Sequence, residues 1–210
     1  MTKTARFMLL AHYEKVKDII DERLEEFSLF NIHDRGRLLE ELCFCICTPQ
    51  TKARSAYKAV ELLKASGLLW SGDLLEVAAI LKRAGVRFHN TKARHIIACR
   101  SLVDALPALI LAGNGARVRF QLVKIVPGLG MKEASHFLRN IGFRDVAILD
   151  RHILRWMCRL GVLRKMPKTI TIHRYLKLEE RFFRLSSILG IPHYVLDLVI
   201  WSLETGEVFK

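Results

Sequence analysis

The sequence predicts an all-α protein of about a dozen helices, and three observations support this prediction. In one segment after another, apolar residues recur three and four positions apart, the period of a helix with one buried face. No segment alternates apolar and polar residues over the length that a half-buried strand needs. Glycine or proline follows most of the helical segments. With 51% apolar residues, the 210-residue chain is long enough for one large domain or two small lobes.

The first two helices are predicted at residues 7–27 and 35–47. In the first, charged residues separate the apolar ones, as on a helix with one solvent-facing side. The second is largely apolar, so we expect a buried helix that Pro49 ends. Its three cysteines are not followed by other residues at metal-ligand spacing, and we interpret them as part of the core.

The boundaries of the next three helices are predicted from turn and cap residues. Residues 51–65 lead into Ser-Gly, and residues 73–83 stop before Gly85. Residues 90–105 begin at Asn90, whose side chain is a favourable N-cap because it accepts a hydrogen bond from an unpaired amide.

Six further helices complete the prediction. The first of them begins at a proline and ends at Gly-Asn-Gly. Gly142 is the expected C-terminal cap of the third, and Gly161 ends the fourth. The predicted bounds are residues 107–112, 117–124, 131–141, 150–160, 171–189 and 192–203.

The net charge of +13 favours nucleic acid or another anionic partner. No apolar run approaches the length of about 18 residues that a membrane span needs. The N-terminal segment lacks the apolar core and cleavage site of a signal peptide. An odd number of cysteines, five, favours reduced thiols. We therefore expect a cytoplasmic protein that has no membrane partner.

The segment Pro-Gly-Leu-Gly at residues 127–130 predicts a tight turn between two helices. Gly128 and Gly130 permit unusual dihedrals and leave no Cβ above the backbone, so the amides at the start of the next helix can approach a phosphate closely. Lys132 lies nearly opposite the core face of that helix and should project outward beside the turn. A simpler interpretation is a tight turn followed by a solvated lysine. The predicted core face consists of Ala134, Phe137, Leu138 and Ile141.

A second chemical feature follows at Asp150, where an apolar run becomes a helix start. The simpler interpretation of this residue is a helix N-cap. However, an amine and a carboxylate at the N-terminal ends of neighbouring helices can converge on one cleft. We therefore expect Lys132 and Asp150 to share one cleft.

These residues resemble a known family. The pattern P-G-[VIL]-G-x-K, a helix, an apolar run and D-x-H resembles the helix-hairpin-helix DNA glycosylases, the superfamily that includes endonuclease III. The segments "CTPQTKARSAYKA" and "FHNTKARHI" resemble its S-x-Q-T and Y-N-x-K-A segments. The resemblance implies an all-α enzyme with two helical lobes flanking a DNA-binding cleft. Residues 1–210 would form one catalytic unit, with a helix-hairpin-helix motif at residues 117–141.

The resemblance also implies roles for the catalytic residues. Lys132 would be the nucleophile and Asp150 would assist it. His152 would be a positioning residue and one of the residues that bind DNA. Gly128 and Gly130 of the hairpin would hold the DNA backbone.

Other residues would replace and recognise bases. Gln50 would enter the duplex where the base has left. Arg87 would read the orphaned cytosine, with Phe88 wedged beside it. Trp201 would stack on the flipped base, and the C-terminal group of Lys210 would help to recognise it.

The sequence departs from endonuclease III in ways that narrow the resemblance. Only Cys158 lies where that enzyme carries an iron–sulfur loop, so we expect no iron–sulfur cluster and no other cofactor. The chain also has no room for the β-rich N-terminal domain of the eukaryotic oxoguanine enzyme. What remains resembles the compact second family of 8-oxoguanine DNA glycosylase/lyases, which is mostly archaeal. In this superfamily the hairpin often holds a monovalent cation, which would bind here to the main-chain oxygens of Lys124, Val126 and Leu129. We expect no catalytic metal.

We therefore expect a monomeric, nucleoid-associated enzyme that acts on double-stranded DNA containing 8-oxoguanine. It would remove the base through a lysine Schiff base and nick the strand by β-elimination. Two alternatives stay open. One is a glycosylase for oxidised pyrimidines or mismatched thymine, and the other is a helix-hairpin-helix module that binds DNA without catalysis.

Overall fold

A computed structural model describes residues 3–210, and in these residues the regular structure is entirely helical, as predicted. The chain forms two compact units. One consists of Phe30–Ile141, and the other consists of the described residues up to Leu29 together with Gly142–Lys210. In chain order the helices are α1 (Lys3–Ser28), α2 (Arg35–Cys47), α3 (Ala53–Ala65), α4 (Leu68–Ser71), α5 (Leu74–Arg83), α6 (His89–Cys99), α7 (Leu106–Leu111), α8 (Gly115–Ile125), α9 (Met131–Asn140), α10 (Arg151–Arg159), α11 (Ile172–Leu189) and α12 (His193–Thr205).

Helix α2 is the centre of the unit Phe30–Ile141. It packs against α3, α6 and α9, and every residue from Glu41 to Cys47 is buried as a result. The three cysteines are fully buried, which confirms their interpretation as core residues. A hydrogen bond with Cys47 and burial raise the pKa of the Cys43 thiol well above its ordinary value, so this thiol is inert at neutral pH.

Helix α12 is the centre of the second unit. It packs against α1, α10 and α11, and its residues Val195–Ile200 are buried. His12 of α1 and Ser202 of α12 are joined by a hydrogen bond of 2.8 Å between Nε2 and Oγ. Helix α12 therefore joins the two chain segments of this unit, the one that contains α1 and the one that contains α10 and α11.

The prediction of a helix over residues 90–105 was wrong at both ends. Helix α6 begins at His89 and ends at Cys99, and a separate 3-10 turn covers Val103–Ala105. Asn90 is not the N-cap, because Phe88 occupies that position with a φ of 57°. The short helix α4 was not predicted, since four residues are too few for a periodic pattern to show.

No single helix among residues 3–210 is long and apolar enough to cross a membrane. Helices α11 and α12, which are bent by 88° relative to each other, meet the length and composition criteria only as a pair.

Candidate active site and nucleic-acid interface

The predicted hairpin is formed by α8 and α9, which are joined by residues 126–130. Gly128 has a φ of +84°, a conformation that L side chains rarely adopt. A Cβ at Gly128 would also lie 2.2 Å from Nδ1 of His95. The turn therefore needs glycine at this position for two independent reasons, its dihedral angle and the close approach of His95 from α6.

Replacing Gly128 with alanine should destabilise the protein by about 1–3 kcal/mol, because the left-handed conformation and the contact with His95 both become unfavourable. The midpoint of denaturant unfolding measures this change. Gly67→Ala is the matched control, since Gly67 has a φ of +72° but nothing within 4 Å of an added Cβ. Equal effects of the two substitutions would contradict the role of the His95 contact.

Lys132 lies in the first turn of α9 and is partly exposed, whereas the predicted core residues of this helix are buried. Its Nζ forms an ion pair with Oε1 of Glu133 at 3.1 Å. Oε2 of Glu133 also accepts a hydrogen bond of 3.3 Å from the Gly130 amide. Sequence reasoning missed Glu133, although glutamate at the third position of a helix is the signal of a capping box. A phosphate at the Gly130 amide must therefore displace this carboxylate.

Asp150 is the N-cap of α10, as the simpler interpretation predicted. Its Oδ1 accepts hydrogen bonds from the amides of His152 at 2.8 Å and Ile153 at 2.9 Å. The apolar run before it is buried and anchored to α11, since Tyr175 Oη donates to the Ala147 carbonyl at 2.6 Å. The carboxylate is therefore held at a fixed point of the backbone. Lys132 belongs to the unit Phe30–Ile141 and Asp150 to the other, and their convergence stays a prediction.

His152 is bound to Glu204 of α12, a residue that sequence reasoning missed. Nδ1 of His152 lies 3.3 Å from Oε2 of Glu204. The same carboxylate accepts hydrogen bonds from Arg155 at 2.7 Å, Trp156 at 2.9 Å and Arg159 at 2.8 Å. Burial alone raises the pKa of Glu204, but the hydrogen bonds from Trp156 and His152 and the two arginine charges outweigh it and lower that pKa. Glu204 is thus a carboxylate that joins α10 to the end of α12.

The C-terminal segment folds back on α12. Gly206 ends this helix with a φ of +86°, and the ring of Phe209 then stacks on Trp201 with centroids 6.3 Å apart. Phe209 is buried, and Trp201 and Lys210 are partly buried. The fold therefore brings Trp201 and the chain end into one neighbourhood, as their predicted common task requires, but their contact with a base stays a prediction.

The two residues predicted to enter the duplex share an unusual backbone conformation. Gln50 has a φ of 55° and Phe88 a φ of 57°, and among residues 3–210 no other non-glycine residue has a positive φ. Both side chains are exposed, Phe88 to 55%. The Arg87 guanidinium lies 5.5 Å from the centroid of the Phe88 ring. Strained, exposed residues of this kind occur preferentially at functional sites.

The cation and cofactor predictions stay open. Of the three carbonyls proposed for a monovalent cation, that of Val126 accepts a hydrogen bond of 3.3 Å from the Leu129 amide. Within residues 3–210, no group of three or more His, Cys, Asp or Glu side chains is arranged to hold a metal ion. Cys158 is partly buried in α10.

Comparison with known proteins gives a consistent result. Residues 20–191 match the model of a family described as 8-oxoguanine DNA glycosylase. The chain is 41% identical over 192 residues to the 8-oxoguanine DNA glycosylase/AP lyase of Thermoplasma volcanium, which covers 91% of this chain and 92% of that protein. It is 37% identical over 214 residues to the protein of the same name from Fusobacterium nucleatum, with 94% of each covered.

Solved structures agree with the sequence comparison. The 8-oxoguanine DNA glycosylase of Thermotoga maritima superposes with a TM-score of 0.89 at 33% identity, with 98% of both chains covered. The Methanocaldococcus jannaschii 8-oxoguanine glycosylase/lyase, in complex with a 15mer DNA containing 8-oxoguanine, gives a TM-score of 0.88 at 34% identity. That superposition covers 97% of this chain and all of the other.

Proposed function

Because the chain belongs to the family of 8-oxoguanine DNA glycosylases, we propose that it excises 8-oxoguanine from double-stranded DNA and cleaves the strand at the abasic site. The observation that carries this proposal is the near full-length similarity to proteins that bear the name glycosylase/AP lyase. The predicted lysine after the glycine turn and the capping aspartate are both present in this fold.

The first step is extrusion of the damaged nucleotide. A base inside a duplex is inaccessible, and turning it out costs a few kcal/mol. Gln50 and Phe88 offset that cost by filling the gap and wedging the opposite strand, and both are exposed on tight turns. Amides of the hairpin and surrounding basic residues hold the bent backbone, so binding weakens as salt is added.

The second step is breakage of the glycosidic bond. The Lys132 amine in its neutral form attacks C1′ and forms a C–N bond, while the bond from C1′ to N9 breaks and the base leaves with its electron pair. Positive charge develops on the sugar in this step, and the Asp150 carboxylate stabilises it. Asp150 suits this task because its position is fixed by two backbone hydrogen bonds.

The third step is strand cleavage. The lysine nitrogen then loses a proton, and its electron pair forms the C1′=N bond of a protonated Schiff base while the C1′–O4′ bond breaks. O4′ keeps the electron pair of that bond and takes up a proton, so the sugar ring opens. This imine acidifies the C2′ proton, and its removal expels the 3′ phosphate by β-elimination. A lysine and a carboxylate supply all the groups that these three steps need from the protein, so we propose that the enzyme uses no cofactor.

Base recognition is assigned to the C-terminal segment. Trp201 stacks on the extruded base, an interaction of about 1–3 kcal/mol for an aromatic side chain. Oxoguanine differs from guanine by only one donor and one carbonyl, so discrimination between the two bases must depend on a few hydrogen bonds. The C-terminal group of Lys210 supplies one of them at a polar edge of the base. A site built to bind such a group rejects the base that lacks it. Because all of these residues are on one chain, we propose a monomeric enzyme, and because its substrate is DNA, we propose that it works at the nucleoid.

A panel of duplexes, each with one lesion, tests the proposed function. In the presence of EDTA, we expect cleavage at 8-oxoguanine, and no comparable cleavage at an oxidised pyrimidine or a mismatched thymine. An extension beyond Lys210 should reduce activity on oxoguanine. Preferred cleavage at a pyrimidine would overturn the substrate assignment, and tight DNA binding without any cleavage would indicate a non-catalytic module.

A further inference from the structure

The turns that carry Gln50 and Phe88 are connected by Lys92, a lysine that the proposed reaction does not use. Lys92 is only 5% exposed. Its Nζ donates hydrogen bonds to the carbonyls of Cys47 at 2.8 Å and Pro49 at 2.7 Å, and to the hydroxyl of Thr51 at 3.1 Å. An ammonium group has three donors, so each has an acceptor.

The acceptors of Lys92 flank Gln50 along the chain. Cys47 and Pro49 precede it, and Thr51 follows it. The same turn is joined to the second one, because the Thr51 hydroxyl oxygen accepts a hydrogen bond of 3.2 Å from the Arg87 amide. The Lys92 amide in turn donates to the Phe88 carbonyl at 3.0 Å. One buried residue thus contacts both turns.

The backbone at both turns needs such support. Gln50 and Phe88 have positive φ values of 55° and 57°, which non-glycine residues keep only where surrounding contacts impose them. Burial lowers the pKa of Lys92 to about 8; the charges of Lys132 and Arg87 lower it as well, whereas Cys47 and Glu133 raise it. At neutral pH the side chain is therefore mainly in the protonated form, which has three donors.

We propose that Lys92 is a positioning residue for base extrusion, which holds the Gln50 and Phe88 turns in one arrangement so that both side chains enter the duplex together. This inference rests on the proposed function, because it assigns Lys92 to the extrusion step of that reaction. Lys92 acts through the two turns and not on the sugar or the base. Its removal should therefore harm the opening of a paired base more than the chemistry that follows.

The test is single-turnover base release by Lys92→Met. Methionine keeps an unbranched side chain of similar length but removes all three donors. Two duplexes are compared, one with 8-oxoguanine opposite cytosine and one with 8-oxoguanine unpaired in a bulge. Opening costs least for an unpaired base. We expect a loss of about tenfold or more on the paired lesion, as for hydrogen bonds to a charged group, and about threefold or less on the bulge. Lys82→Met, at an exposed position of α5, is the control and should change neither rate.

Thr51→Val is the second variant, because it removes the hydroxyl that joins the two turns and decides the question if Lys92→Met does not fold. It should show the same selective loss on the paired lesion. The ratio of the two rates is independent of the fraction of active enzyme, so partial misfolding cannot imitate this result. Equal losses on both duplexes, or no loss, would overturn the role of Lys92 while wild-type activity upholds the proposed function. Wild-type protein that acts on neither duplex would overturn both.

Discussion

Lys132→Gln is expected to abolish the covalent complex that forms when borohydride is added to the protein on damaged DNA. Borohydride reduces a Schiff base to a stable amine, and glutamine has no nucleophilic amine with which to form one. Strand cleavage should fall by about a thousandfold or more, since the variant loses the nucleophile of the reaction. The measurement is the yield of trapped complex on a denaturing gel, together with the rate of nicking.

Two controls separate lost chemistry from lost folding or binding. The variant should still bind the damaged duplex in a gel-shift assay, because Lys132 contributes one charge to a strongly basic chain. Lys82→Gln, at an exposed position on α5, should be trapped as efficiently as wild type. Trapping of Lys132→Gln at full yield would reject Lys132 as the nucleophile.

Asp150→Asn is expected to slow base release by about a hundredfold to a thousandfold, as when a group that stabilises transition-state charge is removed. Asparagine is as good an N-cap as aspartate, so the hydrogen bonds to the amides of His152 and Ile153 should persist. The substitution therefore removes the negative charge and leaves the helix start intact. Single-turnover base release measures the effect, and DNA affinity should change little.

Asp73→Asn is the matched control for this prediction. Asp73 is the N-cap of α5 and accepts a hydrogen bond of 2.8 Å from the Glu76 amide, so the same chemical change is made at another helix start. It should leave the rate of base release unchanged. Equal rates for wild type and Asp150→Asn would contradict an electrostatic role for Asp150 and leave it as a helix cap alone.

Much of the fold was predictable from sequence because most helices show their period and their caps locally. The exceptions have long-range causes. Arg100 follows the last residue of α6, and its guanidinium donates hydrogen bonds to the backbone carbonyls of Leu68, Leu69 and Gly72. These carbonyls in and after α4 therefore have a hydrogen-bond partner. Neither the break after Cys99 nor the short helix α4 shows in the helical period of its own segment, whereas this contact joins the two segments in the fold.

The candidate site shows the same division. Lys132, Asp150 and the hairpin glycines form a short pattern, so their places on α9, α10 and the turn could be predicted. Lys92 is the lysine of the segment that resembles Y-N-x-K-A, but neither its role nor that of Glu204 could be predicted, because their partners lie far away in the sequence. Glu204 binds residues of α10, and Lys92 binds the end of α2 and the following turn.

The most direct test of the catalytic assignment is identification of the residue that is covalently joined to DNA. Wild-type protein is reduced with borohydride on a duplex containing 8-oxoguanine, digested with a protease and nuclease, and analysed by mass spectrometry. We predict that the sugar fragment is attached to Lys132. Attachment to another lysine, such as Lys92, or to the N-terminal amine would contradict the assignment of the reaction to the lysine that follows the glycine turn.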